Sequence, residues 1–280
     1  MNSEHFSEHF SEHLADNLAD NLADNLAEQP VKSPGTHVKA QALVIGAGSA
    51  IAGALIHELI HQQHVSGIVA VSRQTPEPAG LPQDKLDVPV SYLNCDYSAD
   101  AISAVARQLN GAFSHVFICT GVLHNDHIKP EKRIEDINAG QMAELLHINS
   151  ILPALWLQAL LPVLKSSPRC LLTVFSARVG SISDNHKGGW YSYRASKAAL
   201  NMIVKTAAVE YARRAPGIKL LAFHPGTVDT LLSRPFQKNV AAEKLFTPEF
   251  VAQQLLTICA ALPLDAEASY LDWAGEPITW

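Results

Sequence analysis

The chain has 280 residues, 48% of them hydrophobic, a formal net charge of −6 and four cysteines. The acidic balance argues against a nucleic-acid or membrane-surface binder, since either favours a basic patch. Cys95, Cys119, Cys170 and Cys259 are scattered without a CxxC pair, which argues against a zinc site or disulfide framework and for buried thiols in a reducing, cytoplasmic setting. No unbroken apolar run reaches the roughly 18 residues of a membrane span, and the acidic, polar N-terminus is unlike a signal peptide.

The first thirty residues repeat in fours: SEHF, SEHF, SEHL, then ADNL three times, then AEQP. Four residues turn a helix by about 400°, so the Phe/Leu row drifts about 40° per repeat and no straight apolar stripe persists. His5, His9 and His13 share a face only locally, and the segment reads as a solvated, partly helical tail with no metal site. Pro30, Pro34 and Gly35 mark a linker. Residues 1–37 are read as a low-complexity tail and linker, and 38–280 as one domain.

From Ala40 the sequence alternates short apolar runs with longer amphipathic ones. The candidate strands are 42–46, 67–72, 90–95, 115–120, 170–176 and 219–224; the helical segments include 49–64, 99–110, 140–164 and 192–214. The strands are nearly continuous in hydrophobicity, as strands covered on both faces are. Such alternation predicts an α/β fold, a parallel sheet with helices on both sides, whose ligands bind beyond the C-terminal strand ends.

The first strand runs into LVIGAGSAIAGAL. Gly46 and Gly48 allow a tight turn, and Ser49, Ala50 and Ile51 open a helix whose free N–H groups suit a pyrophosphate. The second strand ends in Ser72 and Arg73 with no acid. A carboxylate there would hold the ribose hydroxyls of NAD, whereas an arginine suits the 2′-phosphate of NADP. NADP(H) is therefore favoured, with NAD(H) as the other choice. In YRASK, Tyr193 and Lys197 are four apart and share a helix face, while Tyr191 points elsewhere. An ammonium close to a phenol lowers its pKa by roughly 1–3 units, which equips the pair for proton exchange with a substrate oxygen.

Together these features resemble the short-chain dehydrogenase/reductase family from about Lys39 to Trp280, with SARVGSISDNHKGGWYSYRASKAALN and WAGEPITW similar to its C-factor-like and carbonyl-reductase-like members. The resemblance implies a Rossmann-type doubly wound sheet and a homodimer or homotetramer. It also implies a small-molecule carbonyl or alcohol substrate. Tyr193 would be the acid and base, Lys197 would lower its pKa and hold the nicotinamide ribose, and Asn149 in HINSILP would hold a water of the proton relay. Asp96 and Tyr97 match an adenine-contacting pair, Thr120 and Gly121 end the segment after the fourth strand, and Pro225, Gly226, Val228 and Thr230 match the PGxVxT segment. The chain departs from the family where two glycines of the first turn are Ala50 and Ala52, where an asparagine of NNAG is lost at Ile118–Gly121, and where Ala177 replaces the catalytic serine. Ser176 is the nearest substitute, although adjacent strand residues face opposite ways; Ser181 and Ser183 are further candidates. The implied activity is NADPH-dependent reduction of a ketone or aldehyde, or the reverse alcohol oxidation. The alternative is a cofactor-binding signalling or sensor protein of C-factor type with little turnover. Residues 231–246 read as a lid over the substrate.

Overall fold

The structure, a computed structural model, describes residues 40–74 and 88–280, so the repeat tail and the linker lie outside the described residues. Seven strands form one parallel sheet: β1 (Gln41–Ile45), β2 (Ile68–Ser72), β3 (Val90–Asn94), β4 (Phe113–Ile118), β5 (Cys170–Phe175), β6 (Ile218–His224) and, after a short parallel pair β7 (Thr227–Val228) and β8 (Leu245–Phe246), β9 (Ala268–Asp272). The order across the sheet is β3-β2-β1-β4-β5-β6-β9. The chain thus winds outward from β1 in one direction, returns to β4 and winds outward in the other. This is the doubly wound arrangement, and its switch point lies between β1 and β4.

Burial on both faces explains the unbroken apolar strands. Leu43 and Ile45 of β1 join the core under α2 (Ala99–Gln108), α4 (Leu152–Leu164) and α5 (Tyr191–Arg214), where Trp156, Leu160, Leu164 and Val204 are fully buried. Ala42 and Val44 join the opposite core, under α1 (Ala50–Gln62) and α6 (Pro248–Ala261), with Leu55, Val251 and Leu255. Each such leucine contributes about 1.5–3 kcal/mol by leaving water.

Three features add to the sequence reading. The first two are α6 and β9, the latter pairing with β6 from Leu220↔Ala268 to His224↔Asp272. The third divides the segment read as one helix over 140–164: it is α3 (Ala139–Leu146), a π-helical turn (His147–Ile151) and α4. Taken together, 139–164 is long and apolar enough to cross a membrane by length and composition. Polar residues such as Gln141, Asn149 and Gln158 interrupt its apolar runs, so a search for unbroken runs passes over it. In the fold this segment packs Trp156 and Leu160 against the sheet.

Candidate active site

The site forms where β1, β4, β5 and β6 end. A cleft of about 530 Å³ opens there, bounded by the loop after β1, residues 119–123, residues 175–179, the start of α5 and the 225–240 segment.

Gly46 has φ +84°, and a β-carbon there would lie 3.0 Å from the Cys119 carbonyl carbon, so only glycine lets the first turn pass β4. Gly46 and Ala47 donate to the Val71 carbonyl (2.9 and 3.0 Å), Ser49 donates to Gly46, and the Ser49 hydroxyl caps α1 by accepting from Ala52. Gly48, Ala50 and Ile51 line the cleft, and their amides are not donors in these turn bonds. An alanine at 50 is accommodated because the residue stands at the helix mouth rather than beneath the turn.

At the end of β2 the Ser72 hydroxyl donates to the Gln74 carbonyl, while Arg73 is exposed and its charge acts on Tyr97. Asp96 accepts from the Ser98 amide (2.8 Å), which holds its carboxyl below the usual range. Tyr97 has φ +67°, packs edge-on against Trp156 (6.4 Å) and lies 3.4 Å from the Val71 carbonyl; burial pushes its phenol up to about 12. The side chains of Asp96 and Tyr97 are thus engaged in the turn and the core.

α5 brings Tyr193 and Lys197 together under the cleft, both nearly inaccessible to water. The lysine Nζ lies 5.9 Å from the phenol ring centre and donates to the Phe175 carbonyl (2.8 Å). Burial lowers Lys197 to about 7. It also raises Tyr193, with a smaller contribution from Tyr270. The sequence reading had the ammonium lowering the phenol's pKa; in the protein itself desolvation dominates, and both groups are pushed towards their neutral forms.

Asn149 sits on the π turn, fully buried. Its Oδ1 accepts from the Val122 amide (2.8 Å), and its Nδ2 donates to the Val122 carbonyl (2.8 Å) and Ser196 Oγ (3.0 Å). The side chain therefore fixes the loop after β4, next to Thr120 and Gly121. Four residues on stands Pro153, which has no N–H to offer the Asn149 carbonyl.

The three candidate serines diverge. Ser176 Oγ donates to Asn201 Oδ1 (2.5 Å), in a buried network that also touches Tyr270. Ala177 instead packs in one apolar cluster with Tyr193, Leu123 and Leu145. Ser181 and Ser183 approach Thr279 and Trp280 (both 3.4 Å), beside the chain end and not the phenol. Pro225, Gly226, Val228 and Thr230 line the cleft opposite α1, with Thr230 folded back on Val228 and Ser233. Sequence reasoning passed over His224: its Nδ1 and Thr120 Oγ1, both at the cleft, are buried without a hydrogen-bond partner among the described residues, and burial lowers the imidazole to about 3.

The family profile described as short chain dehydrogenase matches residues 40–241. The chain belongs to that family. Membership of that family, with its dehydrogenase-named relatives, supports an NAD(P)-dependent oxidoreductase acting on CH–OH/C=O groups. Among curated relatives, 1-hydroxy-2-glutathionyl-2-methyl-3-butene dehydrogenase of Rhodococcus sp. (strain AD45) is 28% identical over 239 residues, 85% of this chain and 98% of its own. The C-signal protein of Myxococcus xanthus is 30% identical over 145 residues, 52% of this chain and 82% of its own. The NADPH-bound carbonyl reductase from chicken fatty liver superposes with a TM-score of 0.71 at 22% identity, covering 87% of this chain and 99% of that one.

Proposed function

We propose that this short-chain dehydrogenase reduces a ketone or aldehyde with NADPH, Tyr193 donating the proton. The observation that carries this reading is the pairing of Tyr193 and Lys197, both buried on α5 beneath the cleft.

The residues present fit a dinucleotide. The amides of Gly48, Ala50 and Ile51 suit its pyrophosphate, Arg73 its 2′-phosphate, and Thr120 Oγ1, His224 Nδ1, Lys197 and the Pro225–Thr230 segment its nicotinamide end. When bound, the nicotinamide supplies the hydride. Tyr193, kept protonated by burial, gives its proton to the substrate oxygen. The phenolate left behind favours the ammonium form of Lys197, so the pair moves charge together and Lys197 stabilises the tyrosinate. The Asn149 side chain is fully used by Val122 and Ser196. Its main-chain carbonyl, to which Pro153 four residues on has no N–H to give, is the group we assign to the relay water. Ala177 contributes no hydroxyl beside Tyr193, and Ser176 is assigned to the Asn201 network.

Absorbance at the NADPH band, followed with a panel of carbonyls, tests the activity. Tyr193→Phe should lower the rate by about 10²–10⁴-fold, the span of general acid catalysis, with NADPH binding retained. A rate within a few-fold of the unaltered protein would remove Tyr193 from the mechanism. Arg73→Ala should weaken NADPH binding by roughly 1.5–3 kcal/mol and leave NADH binding unchanged; equal affinity of the unaltered protein for both cofactors would end the NADP preference.

A low-turnover signalling role is the second reading, favoured by Ala177 and by the likeness to the C-signal protein. Failure of every carbonyl in that panel, with NADPH bound, would support it. The reading as one domain over 38–280 is supported by the single seven-stranded sheet, whose two flanking cores draw on described residues from Ala42 to Ile278. Four free thiols support a reducing, cytoplasmic setting. Met202 and Val209, exposed one heptad apart on α5, support self-association as a dimer or tetramer, which light scattering would read.

A further inference from the structure

We infer that the cleft beside Tyr193 is an aromatic subsite, and that its substrate is an uncharged aryl ketone or aldehyde whose ring lies against Trp190 and Phe236. The inference rests on the carbonyl-reductase reading above and names the substrate class of that site.

The backbone leading to α5 takes a conformation that bulky residues rarely adopt. Gly188, Gly189 and Trp190 have φ values of +64°, +66° and +53° in succession. The two glycines accept this freely, whereas a tryptophan there must be held by its surroundings. Glu131 and Arg194 hold it. The Trp190 amide donates to the Glu131 carbonyl (2.6 Å), and the Glu131 carboxylate, itself buried, accepts from the amide and hydroxyl of Ser192. From the other side Arg194 donates to the Gly189 and Gly188 carbonyls (2.9 and 3.1 Å).

What this arrangement secures is the position of one indole. The Trp190 ring stands edge-on to Tyr193 (6.2 Å, 74°) and meets Phe236 of the lid segment (5.1 Å, 63°). His124 meets Phe236 from the far side (5.5 Å, 72°), and its Nε2 lies 3.0 Å from the Leu232 carbonyl, fastening the lid to the loop after β4. Leu123 and Ala177 complete the wall, the alanine leaving a methyl where the family carries a hydroxyl.

The charges complete the case. Among the described residues lining the cleft, the charged side chains are Lys197, bonded to Phe175, and Arg178, paired with Asp272 at 2.7 Å. In the reading above Lys197 serves Tyr193 and the cofactor, and Arg178 is neutralised by Asp272, so neither charge is left over for a carboxylate or phosphate on a substrate, and no lining carboxylate awaits an ammonium. A flat uncharged ring can gain edge-to-face contacts with the indole and phenyl groups that a saturated ring of the same size cannot.

The test compares acetophenone with cyclohexyl methyl ketone, with pyruvate as the charged control. Binding is measured by titration calorimetry to protein saturated with oxidised cofactor, NADP⁺ or NAD⁺, whichever it binds, so that no turnover occurs. Acetophenone should bind about fivefold more tightly than its saturated counterpart, on the scale of an aromatic pair, and pyruvate should not register. Trp190→Leu and Phe236→Leu should each bring the ratio towards one. If Trp190→Leu does not fold, Phe236→Leu, on the lid, carries the comparison alone. Equal binding of the two ketones, no binding of either, or a ratio that survives the substitutions would overturn the inference. Reduction by NADPH separates the two readings. Aromatic preference in binding with no reduction of any carbonyl leaves the subsite standing and removes the reductase. Reduction of both ketones at equal kcat/KM does the reverse.

Discussion

Among the described residues two lysines are buried, at opposite ends of the sheet, and only one has a carboxylate. Lys219, at the start of β6, is buried and its Nζ is bonded to Asp265 Oδ1 (2.5 Å). Asp265 shows the effect of the pair: burial raises its carboxyl, but the hydrogen bonds from Lys219 and the Glu267 amide outweigh it and the net shift is downward. Lys197, below the cleft, has a carbonyl for company, and burial brings it down to about 7. A compensated charge belongs to the scaffold. An uncompensated one is poised to respond when a neighbour changes charge, which is why strongly perturbed groups gather at functional sites.

The sharpest way to test that contrast is to remove each ammonium. Lys197→Met should lower carbonyl reduction by about 10²–10³-fold, the scale of one preorganised electrostatic group, while the protein stays folded; Lys219→Met should leave turnover within a few-fold. Initial rates on a single carbonyl check both. Breaking the scaffold pair from its other side should act on stability instead. Asp265→Ala strands a buried ammonium and should cost about 3 kcal/mol, at the low end for a broken buried pair because Asp265 is partly exposed. Lys219→Met leaves a carboxylate that water can still reach, so urea denaturation should show a smaller loss.

The pH dependence sharpens the same point. Below about pH 7 the folded and unfolded chains both hold the Lys197 proton, and the penalty of burying the ammonium is fully present. From about 7 to the ordinary 10.5 only the unfolded chain holds it, so this group's contribution to stability rises with pH across that window. Stability curves of the unaltered protein and Lys197→Met should converge as pH climbs, the variant being the more stable near neutrality. Parallel curves would mean that the lysine is hydrated after all. The smallest effect concerns a hydroxyl. Ser176→Ala should cost about 1 kcal/mol for its bond to Asn201 and change the rate by less than about threefold, far short of the 10²–10³ of a transition-state donor. A larger fall in kcat/KM would return Ser176 to the chemistry.

The doubly wound sheet was legible because burial on both faces writes itself into composition: runs such as ALVIG and CLLTVF have no polar side to hide. The helix-face pairing of Tyr193 and Lys197 was legible for a similar reason, since a spacing of four suffices to place both. β9 was not, because ASYLD is an edge strand that buries only Tyr270 and Asp272 and carries no continuous apolar signal. The π turn left a signal that was passed over, Pro153 four residues after Asn149. The Trp190 conformation left another in the GGW triplet. The direction of the phenol's pKa lay beyond the sequence, since spacing shows a neighbour and says nothing of the water excluded around it.

The loop bearing Ala177 is braced from the far end of the chain. Tyr270 donates its hydroxyl to the Ala177 carbonyl (2.6 Å), Asp272 anchors Arg178, and Thr279 and Trp280 meet Ser181 and Ser183. These contacts span more than 90 residues of sequence, so on the ribosome they form well after Tyr193 is made, since synthesis adds about 5–20 residues per second. For the several seconds that separate the synthesis of Tyr193 from that of Trp280, a nascent chain carries its acid and its lysine but not the struts of the wall facing them. Nonsense or frameshift lesions anywhere between the codons of Lys197 and Tyr270 would therefore release a protein with its reactive pair present and one side of its cleft unsupported.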